Sequence, residues 1–191
     1  MQNDNNDAKL IAGITRQNHD DFAEFVSRYM LSIMNFIHRY IGNRAQVEDI
    51  AQDVFLRVWQ HAALCKPRAG TSPRAWLYRI AYNRCMDILR QHRQQTDDTE
   101  NLVSYITPEK LYIENDKQER IKQAIDQLPE RQRTALYLCT YQGLSNREAA
   151  NTLDISVEAL ESLLTRARQK LRKQIQTQSE VETHGKRSIN E

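Results

Sequence analysis

Glycine and proline are scarce, five and four in 191 residues. A many-stranded β fold needs more turn formers than that, so the sequence argues against one and for long helices. Long apolar runs are missing as well. No stretch approaches the roughly 18 consecutive apolar residues of a membrane-spanning helix, which argues against membrane insertion. The opening MQNDNNDAKL is polar and acidic and lacks the charged-then-apolar layout of a secretory signal. Cysteine is sparse too: Cys65, Cys85 and Cys139 are far apart and odd in number. That spacing suits neither a disulfide framework nor a CxxC metal knuckle. These absences lead to the expectation of a reduced, cytoplasmic protein. Motifs of chemistry are absent in the same way. There is no G-x-S-x-G, no P-loop and no H-E-x-x-H, and the five histidines are scattered. No catalytic residue, cofactor or metal site is expected, and the chain is not read as an enzyme.

What is present is charge, unevenly spread. The net charge is +2. Residues 1–93 carry 13 Lys and Arg against 9 Asp and Glu, residues 94–117 carry 2 against 6, and residues 118–176 carry 10 against 7. Two basic blocks thus flank an acidic stretch. Its polar start and Thr107-Pro108 step predict a flexible linker over 94–117. Residues 1–19 form an N-terminal segment, and residues 177–191 a polar tail without apolar periodicity.

Both blocks have helical periodicity. Phe22, Phe25, Val26, Tyr29, Ile33, Ile37 and Tyr40 recur at helical spacing until Gly42, and Val47, Ile50, Ala51, Val54, Phe55 and Val58 form a second stripe. After a loop at 66–73 a third helix runs from about Arg74 to Arg93. In the second block a helix ends at Pro129, another spans Arg131 to Tyr141, and two more lie near 146–152 and 157–174. The fold class is all-α: two small helical domains, 20–93 and 118–176, joined by the linker.

The last two helices carry the sharpest local signal. Ser145-Asn146-Arg147-Glu148 is a capping box, and Ser156 is a second N-cap. Between them Leu153-Asp154-Ile155 forms a tight turn, in which Asp154 takes the position usually given to glycine. A short helix, a tight turn and a longer helix make a helix-turn-helix. Leu160, Leu163, Ala167 and Leu171 form its buried stripe. Facing outward are Glu158, Glu161, Ser162, Thr165, Arg168, Gln169 and Arg172, with Arg166 near the edge. The first four of these suit base edges and the later cations suit phosphates. An ordinary solvated face is the competing reading, because RARQKLRK also complements a helix C-terminus.

In the first block, Trp76, Arg79, Asn83 and Arg90 fall within an arc of roughly 60° on their helix. One aromatic, one amide and two guanidinium groups in a strip suit unpaired bases and a phosphate backbone. A core tryptophan beside solvated arginines accounts for the same pattern. Glu48, Asp49, Gln52 and Asp53, extended by Arg57, form an acidic stripe. It suits a basic partner or plain solvation, and lacks the further ligands a divalent metal needs.

Four stretches together resemble the extracytoplasmic-function (ECF) sigma factors, the compact two-domain branch of the sigma-70 family. They are VEDIAQDVFLRVW (47–59), SPRAWLYRIAYNRCMDILR (72–90), LPERQRTALYLCTYQGLSNREAA (128–150) and LDISVEALESLLTRARQKLR (153–172). The resemblance implies two DNA-contacting domains and core RNA polymerase and promoter DNA as partners. A cognate anti-sigma factor is a family expectation. It assigns Glu48, Asp49, Gln52, Asp53 and Arg57 to polymerase docking. It assigns Lys66, Arg68, Trp76, Arg79, Asn83 and Arg90 to the −10 element. Arg147, Ser156, Glu158, Glu161, Ser162, Thr165, Arg166 and Arg168 fall to the −35 element. Glu161 departs from the basic residue of many relatives, which argues against carrying over a familiar −35 consensus. The rival reading is a standalone dimeric helix-turn-helix regulator, with residues 1–93 as its ligand or dimerisation domain.

Overall fold

The computed structural model describes the backbone of residues 2–65, 72–95 and 123–187, and the side chains of 6–65, 72–91 and 123–174. All of its regular structure is helical, as the periodicity predicts. The chain divides into two compact units, Met1–Thr107 with Asn151–Asp154, and Pro108–Ala150 with Ile155–Glu191.

The first unit contains α1 (Gln2–Thr15), α2 (His19–His38), α3 (Arg44–His61), a 3-10 turn (Ala62–Leu64) and α4 (Pro73–Gln95). Each start has a local cause. Asn18 accepts from the N–H groups of Asp20 and Asp21 at 2.9 and 3.2 Å. Asn43 does the same for Ala45 and Gln46 at 3.0 and 3.4 Å. Ser72 caps α4 by accepting from Ala75 N–H at 3.2 Å, with Pro73 as the first helical residue. The buried faces largely follow the periodicity, with Phe25, Tyr29, Ile33 and Ile37 on α2 and Val47, Val54, Phe55 and Val58 on α3, the two helices packing together; Phe36, outside the expected stripe, is buried as well. From α4 come Leu77, Tyr78, Ala81 and Cys85. Phe36 packs edge-on against Tyr78, ring centroids 5.2 Å apart. Burying one such aromatic contributes about 1.5–3 kcal/mol.

The N-terminal segment is more than an appendage. α1 buries Leu10, Ile11 and Ile14 and packs against α2, α3, the 3-10 turn and α4. Three apolar residues at i, i+1 and i+4 make a one-sided stripe, which the polar head of the segment hides in a composition reading. At Gly13 the helices approach so closely that a Cβ would lie 1.7 Å from Asp21 Oδ2.

In the second unit, residues 123–126 are helical and end before Pro129. Arg133 donates to the Asp126 carbonyl at 2.9 Å and Lys170 to the Gln127 carbonyl at 3.0 Å. α5 (Glu130–Leu136) continues as a π-helical turn, Tyr137–Tyr141. Gly143 follows at φ +61°, the left-handed position that lets the chain leave the helix. α6 spans Asn146–Leu153 and α7 spans Val157–Arg187. Leu128, Leu136 and Ala167 share one apolar cluster, with Ile125 and Leu171 packed on it.

Two sequence expectations change here. α7 stays helical through Arg187, well past residue 174 and into the expected tail. Once begun, a helix can extend past its apolar stripe, because adding a residue costs less than nucleating a turn. The buried stripe is Leu160, Leu164 and Ala167, and Leu163 is only half-buried. At 100° per residue Leu163 and Leu164 stand equally far to either side of the Leu160–Ala167 direction, so packing and not period decides between them. The linker expected over 94–117 lies outside the described residues from 96 onward, and residues 94 and 95 close α4.

Candidate nucleic-acid interface and docking face

α3 divides its circumference between core and water. Val47, Ile50, Ala51, Val54, Phe55 and Val58 are buried. Glu48, Asp49, Gln52 and Arg57 are exposed, and Asp53 is half-buried beside them, so the five stripe residues do share one accessible face. Glu48 pairs with Arg44 at 3.3 Å and Asp53 with Arg57 at 3.1 Å. Arg84 of α4 brings its Nε within 2.7 Å of the same Asp53 oxygen, an ion-pair contact off the hydrogen-bond axis. Such exposed pairs contribute little to stability. What they do is hold the carboxylates in place. Leu56, 51% exposed, stands within the arc of the stripe and was not singled out by sequence.

The α4 strip also forms. Arg79, Asn83 and Arg90 are exposed and Trp76 is half-buried at its start, while Leu77, Tyr78, Ala81 and Cys85 turn inward. Trp76 is therefore neither a core residue nor a free one: part of its ring is held and part is accessible. Lys66 and Arg68 lie outside the described residues. Cys65, just before them, has its thiol pushed up by burial to about 11, so it stays protonated at neutral pH.

The helix-turn-helix is built by its caps. The Ser145 hydroxyl accepts from Glu148 N–H at 3.3 Å and donates to the Glu148 carboxylate at 2.9 Å, which also accepts from Ser145 N–H at 2.9 Å. Asp154 makes the turn at φ 54°. Ser156 accepts from Ala159 N–H at 3.1 Å and so sets the first turn of α7. Glu158 has its carboxyl held below the usual carboxylate range, first by its own backbone N–H and then by the Ser156 hydroxyl. It is anionic throughout the physiological range.

Arg147, Ser156, Glu158, Glu161, Ser162, Thr165, Arg166 and Arg168 are all exposed. Arg166, Gln169, Lys170, Arg172 and Lys173 line a shallow depression of about 510 Å³ further along α7. Up to Thr165 α7 thus offers hydroxyls and carboxylates, and from Arg166 to Lys173 it offers cations. Asn146, missed in the sequence, donates to Glu161 Oε1 at 3.2 Å and ties the start of α6 to the outer face of α7. Cys139 Sγ reaches the Asn146 oxygen at 3.9 Å, and burial raises its thiol pKa. No helix among the described residues is long and apolar enough to cross a membrane.

Comparison with known proteins covers both units. A family model described as Sigma-70 region 2 matches residues 25–95, and one described as Sigma-70, region 4 matches residues 118–171. The ECF RNA polymerase sigma factor SigW of Bacillus subtilis is 30% identical over 180 residues, 87% of this chain and 95% of that protein. Among solved structures, CnrH in complex with the cytosolic domain of CnrY is similar at 25% identity. That match covers 90% of this chain and 98% of CnrH, with a TM-score of 0.65. The sigma factor RpoE of Bartonella quintana, solved with the anti-sigma factor NepR, has the same fold at 24% identity. It covers 82% of this chain and 97% of its own, with a TM-score of 0.65.

Proposed function

We propose, from the premise that this chain belongs to the ECF group of the sigma-70 family of RNA polymerase sigma factors, a division of labour between its two units. The protein directs core RNA polymerase to specific promoters and supports opening of the −10 element. In our reading residues 20–93 dock on the polymerase and hold the −10 element, 94–117 link, and 118–176 read the −35 element. Extended, 24 linker residues reach at most about 80 Å, enough to bridge two promoter elements.

Docking falls to Glu48, Asp49, Gln52, Asp53 and Arg57. Charges held in place around an exposed leucine suit a partner surface with cations around an apolar spot. Opening falls to the loop carrying Lys66 and Arg68 and to the α4 strip. Extruding a base costs a few kcal/mol. Stacking on Trp76 returns about 1–3 kcal/mol per base, and Arg79 and Arg90 with Asn83 hold the strand. Reading of the −35 duplex falls to α7, with Glu158, Glu161, Ser162 and Thr165 toward base edges. Arg147, Arg166 and Arg168 lie toward phosphates, and Ser156 fixes the helix start. The work is done by binding, with no reaction of the chain's own, and in the cytoplasm, where the polymerase and its template are. A protein inhibitor of the kind RpoE has in NepR completes the set of partners.

The observation that carries this reading is the pairing, in one chain, of the α3 stripe with a capped helix-turn-helix. A standalone dimeric regulator uses only the second. Replacing Asp49 and Asp53 together by Ala tests it. Affinity for core polymerase falls at least tenfold, while weak, salt-sensitive binding of the free chain to duplex DNA is unchanged. Undiminished binding to core contradicts the docking assignment.

A further inference from the structure

Asp7 on α1 is fully buried, in a part of the chain to which the functional reading gives no task. A carboxylate persists in such a place only with partners. It has two from α2: Arg28 Nη1 donates to it at 2.5 Å, and the Tyr29 hydroxyl donates to its other oxygen. Arg28 also reaches Glu24 at 2.5 Å with its second nitrogen. A third charge borders the group. The Tyr29 hydroxyl is made a weaker acid by burial and by Asp7, and the Arg74 charge works against that shift, so Arg74 lies within electrostatic reach of the cluster. Arg74 belongs to the first turn of α4, two residues before Trp76. α1 packs directly on α4 and on the 3-10 turn Ala62–Leu64. The close approach at Gly13 seats the same helix on α2 independently of the ion pair.

We infer that Asp7 is a positioning residue for promoter opening: held by Arg28 and Tyr29, it fastens α1 to α2, and α1, packed on α4 and the 3-10 turn, thereby aims Trp76 and Arg79 at single-stranded −10 DNA. This rests on the reading of the α4 strip given above. Removing the charge leaves Arg28 only the exposed Glu24 and loosens the hold of α2 on α1, which packs on α4.

Asp7→Asn in the full chain, assembled with core polymerase, tests this. Core affinity stays within about twofold, while open complexes on a promoter fall about tenfold and discrimination among −10 base variants weakens. Asp7→Asn combined with Arg28→Gln recovers much of the loss, because the unbalanced cation goes with the carboxylate. Tyr29→Phe, which removes one hydrogen bond and keeps the charges, costs about threefold and serves if Asp7→Asn does not fold. A direct reporter exists, since Trp59 and Trp76 are the only tryptophans. In a Trp59→Phe background, Asp7→Asn shifts the Trp76 emission. Wild-type opening with unchanged Trp76 emission overturns the inference. So does a loss of core affinity in proportion to opening, which marks a residue needed only for folding. If Trp76→Ala and Arg79→Ala themselves leave opening intact, the strip reading fails instead, and the Trp76 emission alone then judges whether Asp7 positions α4.

Discussion

The two units are held together in different ways. The first relies on elements distant in sequence: a core shared by four helices, the Phe36–Tyr78 ring contact, and a buried carboxylate tied to residues 21 and 22 positions away. The second also has a core built from distant residues, where Leu128 and Leu136 meet Ala167, but its helix ends and turns are set by neighbours. Its capping box spans three residues, and its exit from the π turn depends on Gly143. The difference suits the tasks proposed for them. A surface that holds extruded bases must keep α3 and α4 in fixed register while doing work on the DNA. A helix that reads an intact duplex needs only a firm turn and a defined first residue.

The largest effect lies in the core of the first unit. Phe36→Ala removes a fully buried ring and costs about 3–5 kcal/mol, and the denaturant midpoint of the first unit drops while that of the second stays put. Next comes the local architecture of the second unit. Ser145→Ala loses the capping box, costs about 1 kcal/mol, and moves only the second transition. Gly143→Ala costs about 1–2 kcal/mol there for its left-handed backbone. A single cooperative transition shifting with either set would erase the distinction.

The smallest effect is electrostatic. The carboxyl of Glu158 is depressed in the folded chain, so its contribution is present above the ordinary glutamate value of about 4.3 and is lost as pH falls through the lower folded value. A carboxyl-resolved NMR titration shows a midpoint below that of free glutamate, and Ser156→Ala raises it. A midpoint at the ordinary value contradicts the cap geometry.

What could be read from sequence follows the same division. Ser145, Ser156 and Asp154 announce the helix-turn-helix because caps and turns are local, and the α2 and α3 stripes announce themselves by period. Contacts across the chain were hidden. Arg84 meets Asp53 only once α3 and α4 pack, and Asn146 meets Glu161 only once the turn is made. Asp7 reads as one more charge in a polar head until α1 docks, and Leu163 and Leu164 differ by one helical step that only packing decides. The charged residues of the α3 stripe, by contrast, were legible, though not Leu56 among them, since a helix places i and i+4 side by side before any tertiary contact exists.

This chain confers promoter recognition on core polymerase. Run-off transcription by purified bacterial core polymerase on a pool of promoter fragments, with and without the protein, tests it most directly. Discrete transcripts that require the chain are expected, and they vanish when Asp49 and Asp53 are both replaced by Ala. No binding to core, together with tight binding of duplex DNA by the chain alone, would contradict it.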